Sequence, residues 1–326
     1  MNSNTNRTDK ILILYHANCI DGFTAAWACR KGLIMRGAAE ESIYAVAATY
    51  GNLESILIAA EAYTHVYIVD LSLKPSIIKA LPHKHVVVLD HHKTALEMYS
   101  NTDEGDFDIS TYTYNSDRVK IIIDMNECGA SLVWRYFFVG REIPELIRYV
   151  KDHDLWTHLD EDTKYINKYL MTKSKGFGTW DGVYDCLSSL GAWKPVIIAD
   201  GKAMHTYHMF MVDSALTAAI SCELAGEVGL VVNCPGNLAS EVGHALALKS
   251  GTYGASWSQI GNDIKWSLRS IGDYDVALLA QKFGGGGHKN AAGFTLSAPR
   301  KGQMFPDADS EVGMAAWLPY EAEGRN

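Results

Sequence analysis

The chain has 326 residues, of which 48% are apolar and 21% charged, with a formal net charge of -9. Its length exceeds the ~250 residues at which single cores stop growing, so two domains are expected. The acidic balance excludes a protein that grips long nucleic acid through a broad basic face. It leaves room for a small phosphate-bearing substrate, because carboxylates that hold cations are neutralised in the folded protein. No apolar run approaches the ~20 residues needed to span a bilayer, and the segment 1–10 is polar with no signal-peptide core. The cysteines (Cys19, Cys29, Cys128, Cys186, Cys222, Cys234) are scattered without a C-x-x-C pair. That argues against a disulfide framework or a cysteine zinc site, and a cytoplasmic location is expected.

In chain order, the first half alternates short β-type runs with helical stretches. Strands are expected at Ile11–Tyr15, Ile43–Ala48, His65–Val69, His85–Leu89 and Val119–Ile123, with helices such as Gly22–Lys31 and Leu53–Ala62 between them. The strands are continuously apolar, as in a parallel sheet covered on both faces. The pattern predicts an α/β fold, a doubly wound, mainly parallel sheet. Helical stretches Cys128–Phe138 and Pro144–Lys151 follow, the second leading into Asp152–Trp156. Gly176–Trp193 reads as irregular around a short helical patch, and Val196–Ala218 as a long helix. A smaller α/β domain is then expected, with strands Ile220–Leu224, Gly229–Asn233, Tyr253–Gln259 and Ile264–Ser270 and helices Leu238–Lys249 and Val276–Lys282. The glycine run Gly284–Gly287 and a last strand near Gly293–Leu296 complete it. The expected division is 1–190, a linker helix 191–218 and 219–326, with a cleft between the domains. After Pro299 only Met314–Leu318 is patterned.

Acids and histidines recur just past the strands: His16–Asp21, Asp70 and Asp90-His91-His92, with Asp152–Asp154 further on. Ligands of open parallel sheets bind beyond the carboxyl ends of the strands, so loops distant in sequence can deliver these groups to one crevice. His16 alone reads as a loop histidine, and Asp70 or Asp90 alone as a helix N-cap. Three ionisable residues directly after the apolar Val86–Leu89 are harder to place structurally, and buried acids need a partner that a divalent cation supplies. His83 and His85 flank a lysine and read as solvated.

The segments HANCIDGFTAAW, YIVDLS, VVVLDHH and DHDLW resemble motifs one to four of the DHH phosphoesterases. That superfamily includes a single-strand DNA exonuclease, nano-RNases (oligoribonucleases), cyclic-dinucleotide phosphodiesterases and family II pyrophosphatases. The resemblance implies a hydrolase with two Mn2+ ions, Co2+ or Mg2+ being substitutes, held by His16, Asp21, Asp70, His91 and Asp154. Asp70 would bridge the ions, and Asp90 and His92 would orient ligands and contact the substrate phosphate. Asp152 competes with Asp154 for the fourth motif; Asp154 is preferred because relatives place the ligand directly before a short turn. Many relatives carry two acids in motif one. Here Asn18 or Cys19 stands at the earlier one, which implies a weaker second metal site, filled when substrate phosphate supplies oxygens. Imidazole with carboxylate suits manganese, cobalt or iron better than magnesium, and the ions would activate a water for in-line attack.

Four consecutive glycines in FGGGGHKNAAGF can turn several N–H groups toward one anion. With the preceding SLRS strand, this run is similar to the DHH-associated C-terminal domain. It implies that Arg269, Gly285, Gly286 and His288 bind a phosphate or nucleotide, and it counts against pyrophosphatase. Trp257 and Tyr253 read mainly as packing. The expected activity is hydrolysis of short oligonucleotides or dinucleotides to 5′-mononucleotides, as a 3′–5′ exonuclease-type nuclease. Cyclic-dinucleotide cleavage and non-catalytic nucleotide binding are the alternatives. No membrane or long duplex partner is expected, and a homodimer is an admissible assembly.

Overall fold

The computed structural model describes residues 10–49, 51–59, 62–82, 85–101, 105–188 and 192–297. His83 and the patterned stretch 314–318 lie outside them. Contacts divide the chain into two units between His205 and Thr206, inside the helix expected as a linker.

Unit one contains the strands β1 (Ile11–His16), β2 (Ile43–Ala48), β3 (His65–Val69), β4 (His85–Asp90), β5 (Asp106–Asp108), β6 (Thr111–Asn115) and β7 (Val119–Asp124). Among the described residues they form one seven-stranded sheet in the order β2-β1-β3-β4-β7-β6-β5. The first five positions pair in parallel, and the hairpin β5–β6 adds an antiparallel edge. The helices are α1 (Ile20–Met35), α2 (Leu53–Ala59), α3 (Pro75–Ala80), α4 (Lys93–Ser100), α5 (Gly129–Phe137), α6 (Glu145–Asp154), α7 (Thr163–Met171), α8 (Phe177–Ser188) and α9 (Lys194–Leu216), which runs on past the division. Along β1, Ile11 and Ile13 enter a core with α1, α5, α6 and α8, while Leu12 and Leu14 enter a second core with α2, α3 and α4. Both faces are covered, which is why the strands read as continuous apolar runs rather than alternating ones.

Helix α1 is buried nearly all round: Phe23, Ala25, Ala26, Trp27, Ala28 and Cys29 all lie in the core. Its small residues let α5 approach closely, and a Cβ on Gly32 would come within 2.2 Å of Phe137 Cγ. Trp27 and Trp180 are fully buried and each contributes roughly 4–6 kcal/mol of gross transfer free energy. Their indole N–H groups donate to Asp181 Oδ1 (3.0 Å) and Thr24 Oγ1 (2.9 Å). Trp180 lies on α8, where the sequence predicts irregular chain around only a short helical patch. The glycines there are tolerated because Trp180, Val183 and Leu187 form an apolar stripe at helical spacing.

Unit two contains β8 (Ile220–Leu224), β9 (Glu227–Asn233), α10 (Ala239–Ser250), β10 (Tyr253–Ile260), β11 (Asp263–Ser270), α11 (Val276–Gln281), β12 (Gly286–His288) and β13 (Ala291–Ser297). The described strands form a sheet in the order β12-β13-β11-β10-β9-β8. The pair β9–β10 is parallel, joined by α10 as crossover, and the others are antiparallel. Helix α10 lies directly on the sheet, since a Cβ on Gly254 would meet Gly243 O at 2.1 Å. On the other face Trp266, Phe294 and Phe283 stack in sequence. Tyr253 is buried and donates to Cys222 O at 2.7 Å, a packing role.

Candidate metal centre

The strand order of unit one reverses between β1 and β3, because β2 lies outside β1 and β3 inside it. Ligands of doubly wound sheets bind outside the carboxyl ends of the strands at such a switch point. His16 ends β1, Asp70 follows β3, and Asp90 ends β4, with β1, β3 and β4 adjacent. Two non-glycine residues adopt left-handed backbone here, Asn18 (φ 57°) and Asp70 (φ 59°). Such conformations are more accessible to Asn and Asp than to other side chains and persist where the surroundings enforce them.

Asp21, Asp70, Asp90 and His91 are at most 2% exposed. His91 Nε2 is the hub: it lies 3.0 Å from Asp70 Oδ1, 3.5 Å from Asp154 Oδ2 and 3.6 Å from Asp21 Oδ2. The other oxygen of Asp70 lies 3.4 Å from His16 Nδ1. One carboxylate thus faces two histidines from different strands, the geometry a bridging ligand needs. Asp90 Oδ1 accepts from His91 N (2.8 Å) and from His92 Nδ1 (2.7 Å). Asp90 therefore fixes the orientation of the two residues after it rather than facing the hub. Grouped by ligand atoms within 4.8 Å of one another, the potential ligands form Asp21–His91–Asp154, His16–Cys19–Asp70 and Asp70–Asp90–His91–His92. Of the expected unit-one residues, every one falls in these groups except Asp152.

Asp152 and Asp154 both sit in the last turn of α6, not in a loop after it. Asp152 accepts hydrogen bonds from Thr157 Oγ1 (2.6 Å), Leu159 N (2.7 Å), Asp160 N and Thr163 Oγ1. It closes the turn that follows α6. Burial would raise its pKa, but these donors hold it at about 2.

Several residues the sequence reading passed over position this centre. Asp21 sits on the amino end of α5, accepting from Gly129 N (2.6 Å) and Ala130 N (2.9 Å), where backbone amides and the helix dipole favour an anion. Glu127 is buried and accepts from Ser131 Oγ (2.6 Å), Arg135 Nε (2.7 Å) and Lys151 Nζ (2.7 Å). That network ties α5, which holds Asp21, to α6, which carries Asp154. The available signal was a small-residue N-terminus, Cys128-Gly129-Ala130-Ser131, a short turn after the strand Val119–Asp124.

The electrostatics are unbalanced without a cation. Burial, with Asp70 and Asp154 close by, pushes Asp21 up to about 8. Burial and Asp70 also raise Asp154, against the pull of His91. Burial would raise Asp70 too, but the hydrogen bond from His91 and the charge of His16 and His91 hold it well below the usual carboxylate range. For His91, burial is outweighed by Asp154, Asp70 and Asp21, which lift it well above its usual value. Asp70 Oδ2, Asp90 Oδ2 and Asp154 Oδ2 are buried and have no hydrogen-bond partner among the described residues. Buried anionic oxygens without donors call for a cation, and the mixed carboxylate and imidazole donors fit a divalent transition ion.

This arrangement has a measurable consequence. Asp21 and His91 hold protons near neutrality, and a ligating carboxylate or imidazole nitrogen must give its proton up. Divalent-ion affinity is therefore expected to rise with pH through neutrality, with the Asp21 contribution levelling off above about 8. Calorimetric titrations in buffers of different ionisation enthalpy read the released protons directly. Affinity that does not change between pH 6 and about 8 would contradict this ligand set.

In unit two, Arg269 lies on β11, donating to Ser240 Oγ at the start of α10 and to Leu268 O, both at 2.8 Å. Ala291 is the register partner of both Arg269 and His288, so the two share one sheet face, about 10 Å apart across two strand spacings. The glycine run is only partly a loop. Gly284 is left-handed (φ 74°), while Gly286 and Gly287 belong to the edge strand β12. A Cβ on Gly285 would meet Gly293 O at 2.1 Å, so packing against β13 demands glycine there before any ligand does.

Residues 236–312 match the DHHA1 domain family. The chain carries a DHHA1 domain. The Asp90-His91-His92 centre lies ahead of it in the chain. The chain is 26% identical over 330 aligned residues to "Uncharacterized protein R106" of Acanthamoeba polyphaga mimivirus, covering 94% of this chain and 72% of that protein. Among solved structures it is similar to an exopolyphosphatase-related protein from Bacteroides fragilis (13% identity, 91% of this chain and 89% of that chain, TM-score 0.43). It is also similar to a pGpG-specific phosphodiesterase, PggH, from Vibrio cholerae (12% identity, 89% and 94%, TM-score 0.44). Among the described residues no helix is long and apolar enough to cross a membrane.

Proposed function

We propose that this DHH-family protein is a two-metal phosphodiester hydrolase that cuts short oligonucleotides or dinucleotides to 5′-mononucleotides. The observation that carries the reading is the convergence of His16, Asp21, Asp70, His91 and Asp154 on one switch point, with buried carboxylate oxygens that lack donors. Two divalent ions, manganese by the donor chemistry, would supply an activated water and neutralise the phosphoryl oxygens.

The protein's own residues do the rest. Asp70 spans the two positions, and Asp21 is held rigid by the α5 amides. Asp90 fixes the His92 ring through Nδ1 and, although burial works against it, raises the His92 pKa. A protonated His92 can then donate its remaining N–H to a phosphate oxygen. Arg269 and His288, with the backbone of Gly285 and Gly286, would bind a substrate phosphate. The net charge of -9 favours short substrates over long polyanions.

The test offers the manganese-loaded protein a 5′-phosphorylated dinucleotide, a longer oligonucleotide, a cyclic dinucleotide and pyrophosphate, with Asp90→Asn as control. Mononucleotide release from the dinucleotide is expected, with turnover lowered about 10–100-fold in the control. Preference for the cyclic dinucleotide would reassign the substrate. Turnover of pyrophosphate alone would remove the role given to unit two, and no turnover at all would leave a nucleotide-binding protein.

A further inference from the structure

The second ion position, resting on the two-metal reading above, contains a residue with different chemistry. The loop from β1 to α1 leaves His16 at the strand end, turns through left-handed Asn18 and delivers Cys19 at the N-cap of α1. Cys19 is extended (φ -105°, ψ 140°) and makes no side-chain cap to the helix. Asn18, the other residue at the place of the earlier acid, is exposed, whereas Cys19 is partly buried. His16, Cys19 and Asp70 each offer a ligand atom within 4.8 Å of the others. Asp70 Oδ2, buried and without a hydrogen bond, lies 3.4 Å from His16 Nδ1. That oxygen independently marks the place as one that takes a cation.

We propose that Cys19 is a metal ligand, and that His16, Cys19 and Asp70 form a thiolate centre beside the oxygen- and nitrogen-only centre of Asp21, His91 and Asp154. On binding, the thiol gives its proton to solvent and the sulfur coordinates the ion as thiolate. A soft sulfur donor selects zinc, iron or cobalt over manganese. The two positions therefore differ in the ion they prefer: a harder ion at Asp21–His91–Asp154 and a softer one at His16–Cys19–Asp70. The missing acid of motif one is a change of donor rather than a loss of one.

The full-length chain, stripped with chelator, is titrated with Co2+ while its near-ultraviolet and visible spectra are followed. The wild type should develop a sulfur-to-cobalt charge-transfer band along with the weaker d–d bands. Cys19→Ser should lose that band and bind the second equivalent of cobalt at least about 10–100-fold more weakly. Cys128→Ser, which alters another thiol beside Asp21, should keep the band. Cys19→Asp should lose the band yet retain two ions, with manganese now competing for both. Two ions bound to the wild type without a sulfur band, or a band that survives in Cys19→Ser, overturns the thiolate centre and leaves the two-metal reading standing. No cobalt bound at all overturns both.

Discussion

Asp70→Asn is expected to lower kcat by roughly a thousandfold while leaving the fold intact. Asp70 is the carboxylate between the two candidate ion positions, 3.0 Å from His91 and 3.4 Å from His16. Removing its charge takes a ligand from both at once. Metal charge stabilisation contributes several kcal/mol to a transition state, and about 4 kcal/mol corresponds to that thousandfold. Asparagine suits the left-handed backbone at this position (φ 59°) as well as aspartate does, so the substitution tests charge rather than conformation. Steady-state turnover of the dinucleotide, with metal content measured on the same sample, separates the outcomes. An Asp70→Asn chain that retains two ions and full turnover removes Asp70 from the bridging role.

Gly129→Ala is expected to damage both stability and activity, although the change is one methyl group. A Cβ there would come within 2.6 Å of Asp70 Cβ and 2.9 Å of Asp21 Oδ2, and Gly129 N is itself a donor to Asp21. Overpacking of this kind costs about 1–3 kcal/mol, and loosening a hydrogen bond to a charged group costs about as much. Together they come to about 2–6 kcal/mol, which for a unit of this size lowers the melting temperature by roughly 4–20 °C. Turnover should drop by about tenfold or more as Asp21 shifts. Gly178→Ala is the matched control: Gly178 lies in α8 with nothing within 4 Å of the new Cβ, so it should be neutral or stabilising by up to about 1 kcal/mol. Thermal melts of the two variants side by side decide the matter, and equal stability would refute the packing at the α5 start.

The parallel strands of unit one were legible because each is apolar on both faces, and the strand-end acids were legible because, although each alone reads as a cap, the run Asp90-His91-His92 after an apolar strand does not. The hairpin β5–β6 was not. Each residue of Asp106–Asp108 is exposed, so the strand lacks the apolar run that marks its neighbours, and the pairing across a turn sets its register instead. Helix α8 was legible only as a short helical patch because of its glycines, although the stripe of Trp180, Val183 and Leu187 was present. The fourth motif shows another limit. Two residues apart on a helix point roughly 200° apart, so Asp152 and Asp154 face opposite ways, and sequence spacing alone does not say which faces His91. Backbone donors are the least visible: the amides of Gly129 and Ala130 hold Asp21 through groups that every residue carries.

The burial of α1 bears on how this molecule fluctuates. Protein segments open with free energies that range from almost nothing at frayed ends to the full unfolding value in the most enclosed elements. A helix buried continuously from Asp21 to Cys29 cannot open there until its neighbours part, so those amides belong with the slowest-exchanging protons of unit one. Asp21 is mounted on the first turn of that helix. Its ligand geometry is thus tied to the global stability of unit one, and heat or denaturant too mild to unfold that unit should leave Asp21 in place.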